Sequence, residues 1–331
     1  MKHVTLFITL ALVLVSCGTR KGYFSIEGRF LNLNQGEFYV YSTDGTINGI
    51  DTIKVNAGRF ALEIPCRKEG TLMLVFPNFS EQPIFAEPGK GVDIKADASH
   101  LKQMEVTGTD DNELMTDFRK GTALSSPPEQ KQRAEHFIKD NASSPVAVYL
   151  LRKYFMSSNN TEDLKKARLL ISLLAKEQPH NGGVIRMQNE LKIMTSTPVG
   201  SKIRPFSSFD VNGKLVTNAL FSGKTSIIFT WSSWSYDSEN MARRINNLMQ
   251  QSGGKVAALA ISLDGSKKEC KTTIERDALD FPTVCDEKLF DGQLIKTFGL
   301  HAVPDNIIIS PDGKVIAKSV AIDDLERYLT K

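Results

Sequence analysis

The hydrophobic periodicity of the chain changes twice, and these changes constrain the fold more than any other feature of the sequence. From Tyr23 to Thr107, apolar and polar residues alternate in short runs such as FSIEGRF and GRFALEI, with turn residues between them. From Asp111 to Thr195 apolar residues recur about every 3.6 positions, which is typical of amphipathic helices. From Pro198 onward, strand-like and helix-like segments alternate. The sequence therefore predicts a multidomain protein.

The three patterns predict three folded parts. Residues 23–108 are predicted to form an all-β sandwich, because short strands at regular spacing are typical of antiparallel sandwiches and barrels. Residues 109–197 are predicted to be a helical connector. Residues 198–331 are predicted to be an α/β domain, because strand–helix alternation that ends in the hairpin NIIIS-PDG-KVIAKSV favours a mixed sheet.

The N-terminus carries a short positive segment, MKH, and then an apolar run from Val4 to Val15. This run is too short to span a bilayer comfortably and has the shape of a secretory signal. It ends in LVSC, which resembles a bacterial lipobox, whose cysteine is lipidated and becomes the mature N-terminus. The resemblance implies a lipoprotein signal peptide at 1–16, lipid attachment at Cys17, a tether at 17–22 and a soluble remainder. The alternative is an ordinary signal peptide with a chance cysteine.

The residues after Cys17 are GTRKG, without an acidic cluster. Such a cluster resembles the surface-export signal of Bacteroidota lipoproteins. Its absence favours a protein of the bacterial cell envelope that is lipid-anchored in the outer membrane and faces the periplasm. The membrane is then a partner through the lipid on Cys17.

Composition and charge indicate which further partners to expect. The formal charge is only +3, and no cluster of Lys and Arg is interleaved with aromatic residues, so we expect no nucleic-acid partner. We interpret Asp51, Asp93 and Asp97 as solvated turn and strand-face carboxylates. None of the cysteines has metal-ligand or C-x-x-C spacing. We therefore expect neither a metal nor another cofactor.

Four phrases of the N-terminal region resemble a known domain. They are FSIEGRF, IDTIKVNAGRFALEI, IFAEPGKGVDIKAD and VTGTDDNE. They are similar to a domain of unknown function that precedes a thioredoxin-like domain in many Bacteroidota lipoproteins. The resemblance implies no catalytic residues in this region.

Three phrases of the C-terminal region resemble the thioredoxin-like family, in its thiol-disulfide oxidoreductase and peroxiredoxin-like branch. In GKTSIIFTWSSWSYDS, Trp231 and Trp234 stand where the family has two tryptophans. The phrase KVAALAISLDGSKKE resembles the following strand and loop. FGLHAVPDNIIISPDGKVIAK resembles the segment that holds the family's cis-proline, here Pro304. The resemblance implies a thioredoxin-like fold for 198–331.

The family's two active-site cysteines are replaced by Ser235 and Ser238. In the family the first thiolate attacks a disulfide and the second thiol resolves the mixed disulfide. A serine hydroxyl forms no disulfide, and a helix N-terminus contributes only about 0.3–1 kcal/mol, too little to ionise an alcohol at neutral pH. The sequence therefore predicts no catalytic residue at these positions and leaves it uncertain whether the protein is an enzyme, with a non-enzyme favoured.

Two interpretations of this degenerate motif concern the loop and its groove. In the first, the domain is redox-inactive and binds a peptide or protein by strand-like backbone pairing in a groove formed by Trp234, Tyr236, Val303 and Pro304. A pure scaffold without a ligand is the simpler version.

Three further interpretations remain open. One makes the protein a thiol-disulfide oxidoreductase or peroxiredoxin-like antioxidant enzyme that uses Cys270 and Cys285, although buried free cysteines are the plainer interpretation of these residues and of Cys66. Another makes Ser235 a nucleophile with His301 as its base and Asp237 as the orienting group. The last leaves the role to the β-domain alone.

Overall fold

The computed structural model describes residues 19–156 and 161–330. The predicted signal peptide, Cys17 and the start of the tether lie outside these residues. The described residues form two compact units, the first made of 19–156 and 165–186 and the second of 161–164 and 187–330. Among them, no helix is long and apolar enough to cross a membrane.

The first unit contains one eight-stranded sheet. Its strands, in chain order, are β1 Tyr23–Leu31, β2 Gln35–Ser42, β3 Ile50–Asn56, β4 Arg59–Pro65, β5 Gly70–Val75, β6 Glu81–Ala86, β7 Gly91–Asp97 and β8 Glu105–Thr107. The order across the sheet is β6-β5-β2-β3-β4-β1-β7-β8. The predicted β-domain is confirmed, but its strands form one continuous sheet because β1 pairs with β4 on one side and, in parallel, with β7 on the other.

One face of this sheet is apolar because alternate strand residues point the same way. In β1, Phe24 and Ile26 are buried, whereas Glu27 is exposed. Phe30 and Phe38 pack edge to face with ring centroids 5.5 Å apart. These residues belong to a single apolar cluster that draws on β1 to β8.

Five α-helices follow the sheet. They are α1 Asp110–Thr122, α2 Pro127–Asp140, α3 Pro145–Leu151, α4 Thr161–Glu177 and α5 Gly182–Met194, with a π-helical turn at Arg152–Met156. The buried Asn112 of α1 accepts a hydrogen bond from the backbone N–H of Phe85 at 3.0 Å and donates one to its carbonyl at 2.7 Å. Helix α1 is therefore held directly against strand β6.

The second unit contains a five-stranded mixed sheet and four α-helices. Its strands are β9 Ser207–Phe209, β10 Leu215–Thr217, β11 Thr225–Trp231, β12 Val256–Ser262, β13 Thr283–Val284, β14 Asp305–Ile309 and β15 Val315–Lys318, and its helices are α6 Tyr236–Gln251, α7 Lys267–Arg276, α8 Gln293–Phe298 and α9 Leu325–Leu329. β9 and β10 form a separate hairpin, and the main sheet has the order β13-β12-β11-β14-β15. The predicted α/β domain is confirmed.

The central strand β11 is buried on both faces. Ile227, Phe229 and Trp231 belong to one apolar cluster, and Ile228 belongs to a second cluster on the opposite face. β11 runs parallel to β12 and antiparallel to β14. The carboxyl end of β11 therefore lies beside the start of β14, and this edge of the sheet carries the candidate site.

Candidate functional site

The loop that joins β11 to α6 begins in the core and emerges at the surface. Trp231, the last residue of β11, is fully buried, whereas Trp234 is 62% exposed and Tyr236, the first residue of α6, is 73% exposed. The loop therefore presents two aromatic side chains to solvent beside a helix N-terminus.

Ser235 and Ser238, which we interpret from the sequence as a degenerate motif, have structural roles in the loop. Ser235 is the N-cap of α6, and its hydroxyl accepts a hydrogen bond from the backbone N–H of Ser238 at 3.4 Å. The Ser238 hydroxyl is fully buried and accepts a hydrogen bond from the backbone N–H of Ser232 at 3.0 Å. It also donates to the carbonyl oxygen of Ser235 at 2.8 Å. Both hydroxyls are thus engaged within the loop itself.

A buried carboxylate ties this loop to the neighbouring strand. Asp264 accepts hydrogen bonds from the backbone N–H and the hydroxyl of Ser233, both at 2.8 Å, and from the hydroxyl of Ser262 at 2.8 Å. Sequence reasoning missed this residue. Its position directly after the buried strand KVAALAIS was the available signal, because the carboxyl ends of parallel strands meet at one edge of a sheet.

The segment before β14 lies beside the loop. The Val303–Pro304 peptide bond is cis. The backbone N–H of Asp305 donates to the hydroxyl of Thr230 at 2.8 Å, and that hydroxyl donates to the carbonyl oxygen of Ala302 at 2.7 Å. Thr230 in β11 therefore holds both sides of the cis-proline.

The Asp305 side chain forms a second buried network that the sequence did not reveal. It accepts hydrogen bonds from the hydroxyl of Ser319 at 2.6 Å and from the backbone N–H groups of Asn306 at 2.8 Å and His301 at 3.2 Å. His301 Nδ1 lies 3.2 Å from Asp305 Oδ2. Burial by itself would raise the pKa of Asp305, but the contacts with His301 and Ser319 outweigh it and hold that pKa below its usual value.

A cavity of about 420 Å³ opens between the start of α6, Pro304 and the segment after β15. Its polar lining includes Asp237, Asn240 and Ser319, and its apolar lining includes Val320 and Ile322. Of the four predicted groove residues, Pro304 lines this cavity, and Trp234, Tyr236 and Val303 do not. A lining of this kind suits a ligand whose hydrogen-bonding groups lie next to small apolar side chains.

Val303, the other predicted groove residue of this segment, has free backbone groups. No hydrogen bond in the described part of the chain engages its N–H or C=O. Its side chain packs against the second apolar cluster of the domain. Unpaired backbone groups of this kind, which here lie one residue before the cavity-lining Pro304, are groups to which an extended chain can pair.

The remaining candidate residues lie apart from the cavity lining. Cys270 and Cys285 are free thiols with exposed fractions of 0% and 3%. Cys66 is a buried thiol in the β-domain that donates to the carbonyl oxygen of Lys68 at 3.2 Å. Within residues 19–156 and 161–330, no three His, Cys, Asp or Glu residues are arranged to hold a metal.

The serine-nucleophile interpretation requires His301 next to Ser235. In the structure His301 faces Asp305, and among the described residues no hydrogen bond or ion pair joins His301 to Ser235 or Asp237. The Ser235 hydroxyl caps α6 instead. These residues are therefore not assembled into a catalytic triad.

Comparison with known proteins identifies both domains. Residues 24–115 match the family model of a domain of unknown function, DUF4369, and residues 199–318 match the AhpC/TSA family. The thiol-disulfide oxidoreductase ResA of Bacillus thuringiensis subsp. konkukian is 28% identical over 137 residues, which are 40% of this chain and 78% of that protein. ResA of Bacillus anthracis is 27% identical over 138 residues, with the same shares of each chain.

A solved structure is similar over the same C-terminal region. It is a thiol-disulfide oxidoreductase from Bacteroides fragilis NCTC 9343, with 26% identity and a TM-score of 0.35, and the match covers 38% of this chain and 96% of that chain. The chain thus carries a DUF4369 domain followed by a thioredoxin-like domain of the AhpC/TSA family, with thiol-disulfide oxidoreductases among its homologues.

Proposed function

We propose that the thioredoxin-like domain is a redox-inactive binding module that accepts an extended segment of a peptide or protein in the cell envelope. The observation that carries this proposal is the burial and hydrogen bonding of the Ser238 hydroxyl. Its hydroxyl is buried and hydrogen-bonded to the loop backbone at the position where the homologous enzymes need a thiol. The loop therefore keeps its fold and lacks the element that disulfide exchange requires.

The groove beside Pro304 supports a polypeptide as the ligand. The free N–H and C=O of Val303 can pair with the backbone of an extended chain, as in strand addition. The cavity lined by Asn240, Ser319 and Val320 can then take a side chain of that segment. Trp234 and Tyr236 add exposed aromatic surface, which is enriched in binding sites.

The proposed site of action is the envelope. A lipid on Cys17 would anchor the chain in the outer membrane with its domains facing the periplasm, as the sequence LVSC suggests. Labelling cells with radioactive palmitate tests this anchor. We expect label on the wild type and none on Cys17→Ala, which should also leave the membrane fraction, and persistence of Cys17→Ala in that fraction would reject lipidation at Cys17 as the anchor.

Redox inactivity is tested by reduction of insulin with dithiothreitol. The wild type should match the rate without protein, because the thiols nearest in sequence, Cys270 and Cys285, are buried and cannot meet a protein disulfide. Turnover by the wild type that disappears in Cys270→Ser would overturn the proposal in favour of exchange through those thiols.

Peptide binding is tested with a reduced and carboxymethylated protein, which stays unfolded and offers extended segments. A photo-reactive benzoylphenylalanine replaces Tyr236, the exposed neighbour of the cavity-lining Asp237, or, as the matched control, Phe209 in the β9–β10 hairpin, which is 65% exposed. We expect cross-linking from position 236 to exceed that from position 209 at least tenfold.

A second arm of this experiment fills the groove. Ser319→Arg places a long side chain at the cavity wall and should abolish cross-linking from position 236. Equal cross-linking from the two positions, or cross-linking that persists in Ser319→Arg, would reject the groove as the binding site and leave the domain as a scaffold.

A further inference from the structure

The chain places two thiols at the same end of the sheet, outside the proposed groove. β12 and β13 pair in parallel with Ile261 opposite Val284, so Cys285 follows directly beside Ser262. Cys270 lies in the first turn of α7, the helix that follows β12. Both thiols belong to the same apolar cluster of the thioredoxin-like domain.

The two side chains are neighbours in this cluster. Each thiol shifts the pKa of the other, and Cys285 lies beside Ser262 at the end of the sheet. The Cys285 thiol also donates to the carbonyl oxygen of Asp264 at 3.6 Å. Both side chains are buried, so no bulky partner can approach them without local opening of the fold.

From this geometry we propose that Cys270 and Cys285 form a non-motif thiol pair, which closes to an intramolecular disulfide between α7 and the end of β13. For this bond the two sulfurs must approach to about 2.05 Å. The end of β13 is held by the sheet on one side only, because β13 is a two-residue edge strand that pairs with β12 alone. The bond would cross-link the domain and would not serve a protein substrate.

The oxidant we name is a low-molecular-weight disulfide, such as oxidised glutathione, which can reach the pair during folding or local opening. The thiolate of Cys285 attacks one oxidant sulfur, forms a mixed disulfide and releases one thiolate. Cys270 then loses its proton, attacks the Cys285 sulfur and expels the second thiolate. In total, two protein thiols become one disulfide and the oxidant becomes two thiols.

The order of these steps follows from the surroundings of each sulfur. The hydrogen bond from Cys270 lowers the pKa of Cys285, and the same contact, together with burial, raises the pKa of Cys270. Cys285 is therefore the thiol that ionises first and attacks.

The pair is also connected to the degenerate loop. Ser262, which lies beside Cys285 at the end of the sheet, donates to Asp264, which holds Ser233 in the loop. Closure of the disulfide would therefore fix the strand end that positions the proposed binding groove, although the motif itself contains no thiol.

The direct test is peptide mapping of the full-length protein in detergent after equilibration with glutathione mixtures. Free thiols are alkylated under denaturing conditions, and the protein is digested with trypsin without reduction. Cleavage releases residues 269–271, which contain Cys270, and residues 277–288, which contain Cys285. We expect these two peptides to be linked in oxidised glutathione and at least tenfold less linked in dithiothreitol.

Matched variants sharpen this test. Cys66→Ser should leave the linked pair unchanged, whereas Cys285→Ser should remove it. Alkylation of both peptides at every glutathione ratio, or separate glutathione adducts on each, would overturn the inference.

A second readout is thermal unfolding followed by tryptophan fluorescence, because both tryptophans lie in this domain. A disulfide that closes a loop of about 15 residues should raise the transition by about 5–10 °C relative to the reduced protein. The double variant Cys270→Ala with Cys285→Ala should show the same transition in both buffers. An unchanged wild-type transition would overturn the bond as part of the native fold.

Discussion

The hydroxyl of Ser238 donates a hydrogen bond to the carbonyl oxygen of Ser235 across 2.8 Å. The two positions at which the family resemblance implies thiols are therefore bonded to each other through a serine hydroxyl and the backbone. Hydrogen bonds made by hydroxyl groups hold the conformation of the loop.

The buried hydroxyl should stabilise the domain. Ser238→Ala leaves the backbone N–H of Ser232 without its acceptor, and a buried unpaired donor costs about 1–3 kcal/mol. Urea unfolding followed by tryptophan fluorescence should show a loss of that size. Ser207→Ala, an exposed serine of the β9–β10 hairpin, is the control and should change the free energy of unfolding by less than about 0.5 kcal/mol. Equal effects of the two substitutions would contradict the role of Ser238.

Restoring both thiols should restore redox activity. In the double variant Ser235→Cys with Ser238→Cys, the sulfur at position 235 sits at the N-terminus of α6, which stabilises a thiolate. We expect reduction of insulin by dithiothreitol at least tenfold faster than with the wild type. The single variant Ser238→Cys is the control and should stay inactive, because its sulfur is buried. An inactive double variant would show that the lost activity involves more than the two thiols.

The buried carboxylate of Asp305 should make stability depend on acid pH. Its folded pKa lies below the ordinary value of about 3.9, so its contribution is complete above that value and is lost as the pH falls through the folded pKa. We expect Asp305→Asn to lower the free energy of unfolding by about 2–3 kcal/mol at pH 5 and above. The difference from the wild type should shrink below about pH 4. A difference that is constant from pH 7 to pH 2.5 would contradict this assignment.

Two glycines of the first unit should respond in opposite ways to alanine. A Cβ on Gly28 in β1 would lie 2.3 Å from the carbonyl oxygen of Ile94, so Gly28→Ala must move a strand backbone and should cost more than about 2 kcal/mol. A Cβ on Gly121 in α1 meets nothing within 4 Å, and Gly121→Ala should stabilise the helix by about 0.5–1 kcal/mol. Circular dichroism during urea unfolding measures both. A tolerated Gly28→Ala would contradict the close approach of β1 and β7.

The sequence predicted the fold classes because their signals are local. The period of two before Thr107 and the alternation after Pro198 arise from which faces of strands and helices are buried. It did not predict that the eight strands of the first unit form a single sheet. The pairing of β1 with β7 depends on residues far apart in the chain.

The residues of the candidate site were likewise predicted only in part from the sequence. Ser235, Ser238 and Pro304 were predicted from the sequence because the motifs around them are contiguous. The hydrogen-bond partners of the buried Asp264 and Asp305 were not predicted. Ser233 is 31 residues from Asp264, and Ser319 is 14 residues from Asp305.

The sequence by itself determined which chemistry is present, because no fold can give a serine the redox couple of a thiol. Only the tertiary structure decided which groups meet. The parallel pairing of β12 with β13 brings Cys285 next to Ser262 and Cys270, and the antiparallel pairing of β11 with β14 brings the cis-proline next to the loop. These contacts join segments that are distant in the chain, and the burial of apolar strands at the centre of the sheet fixes them.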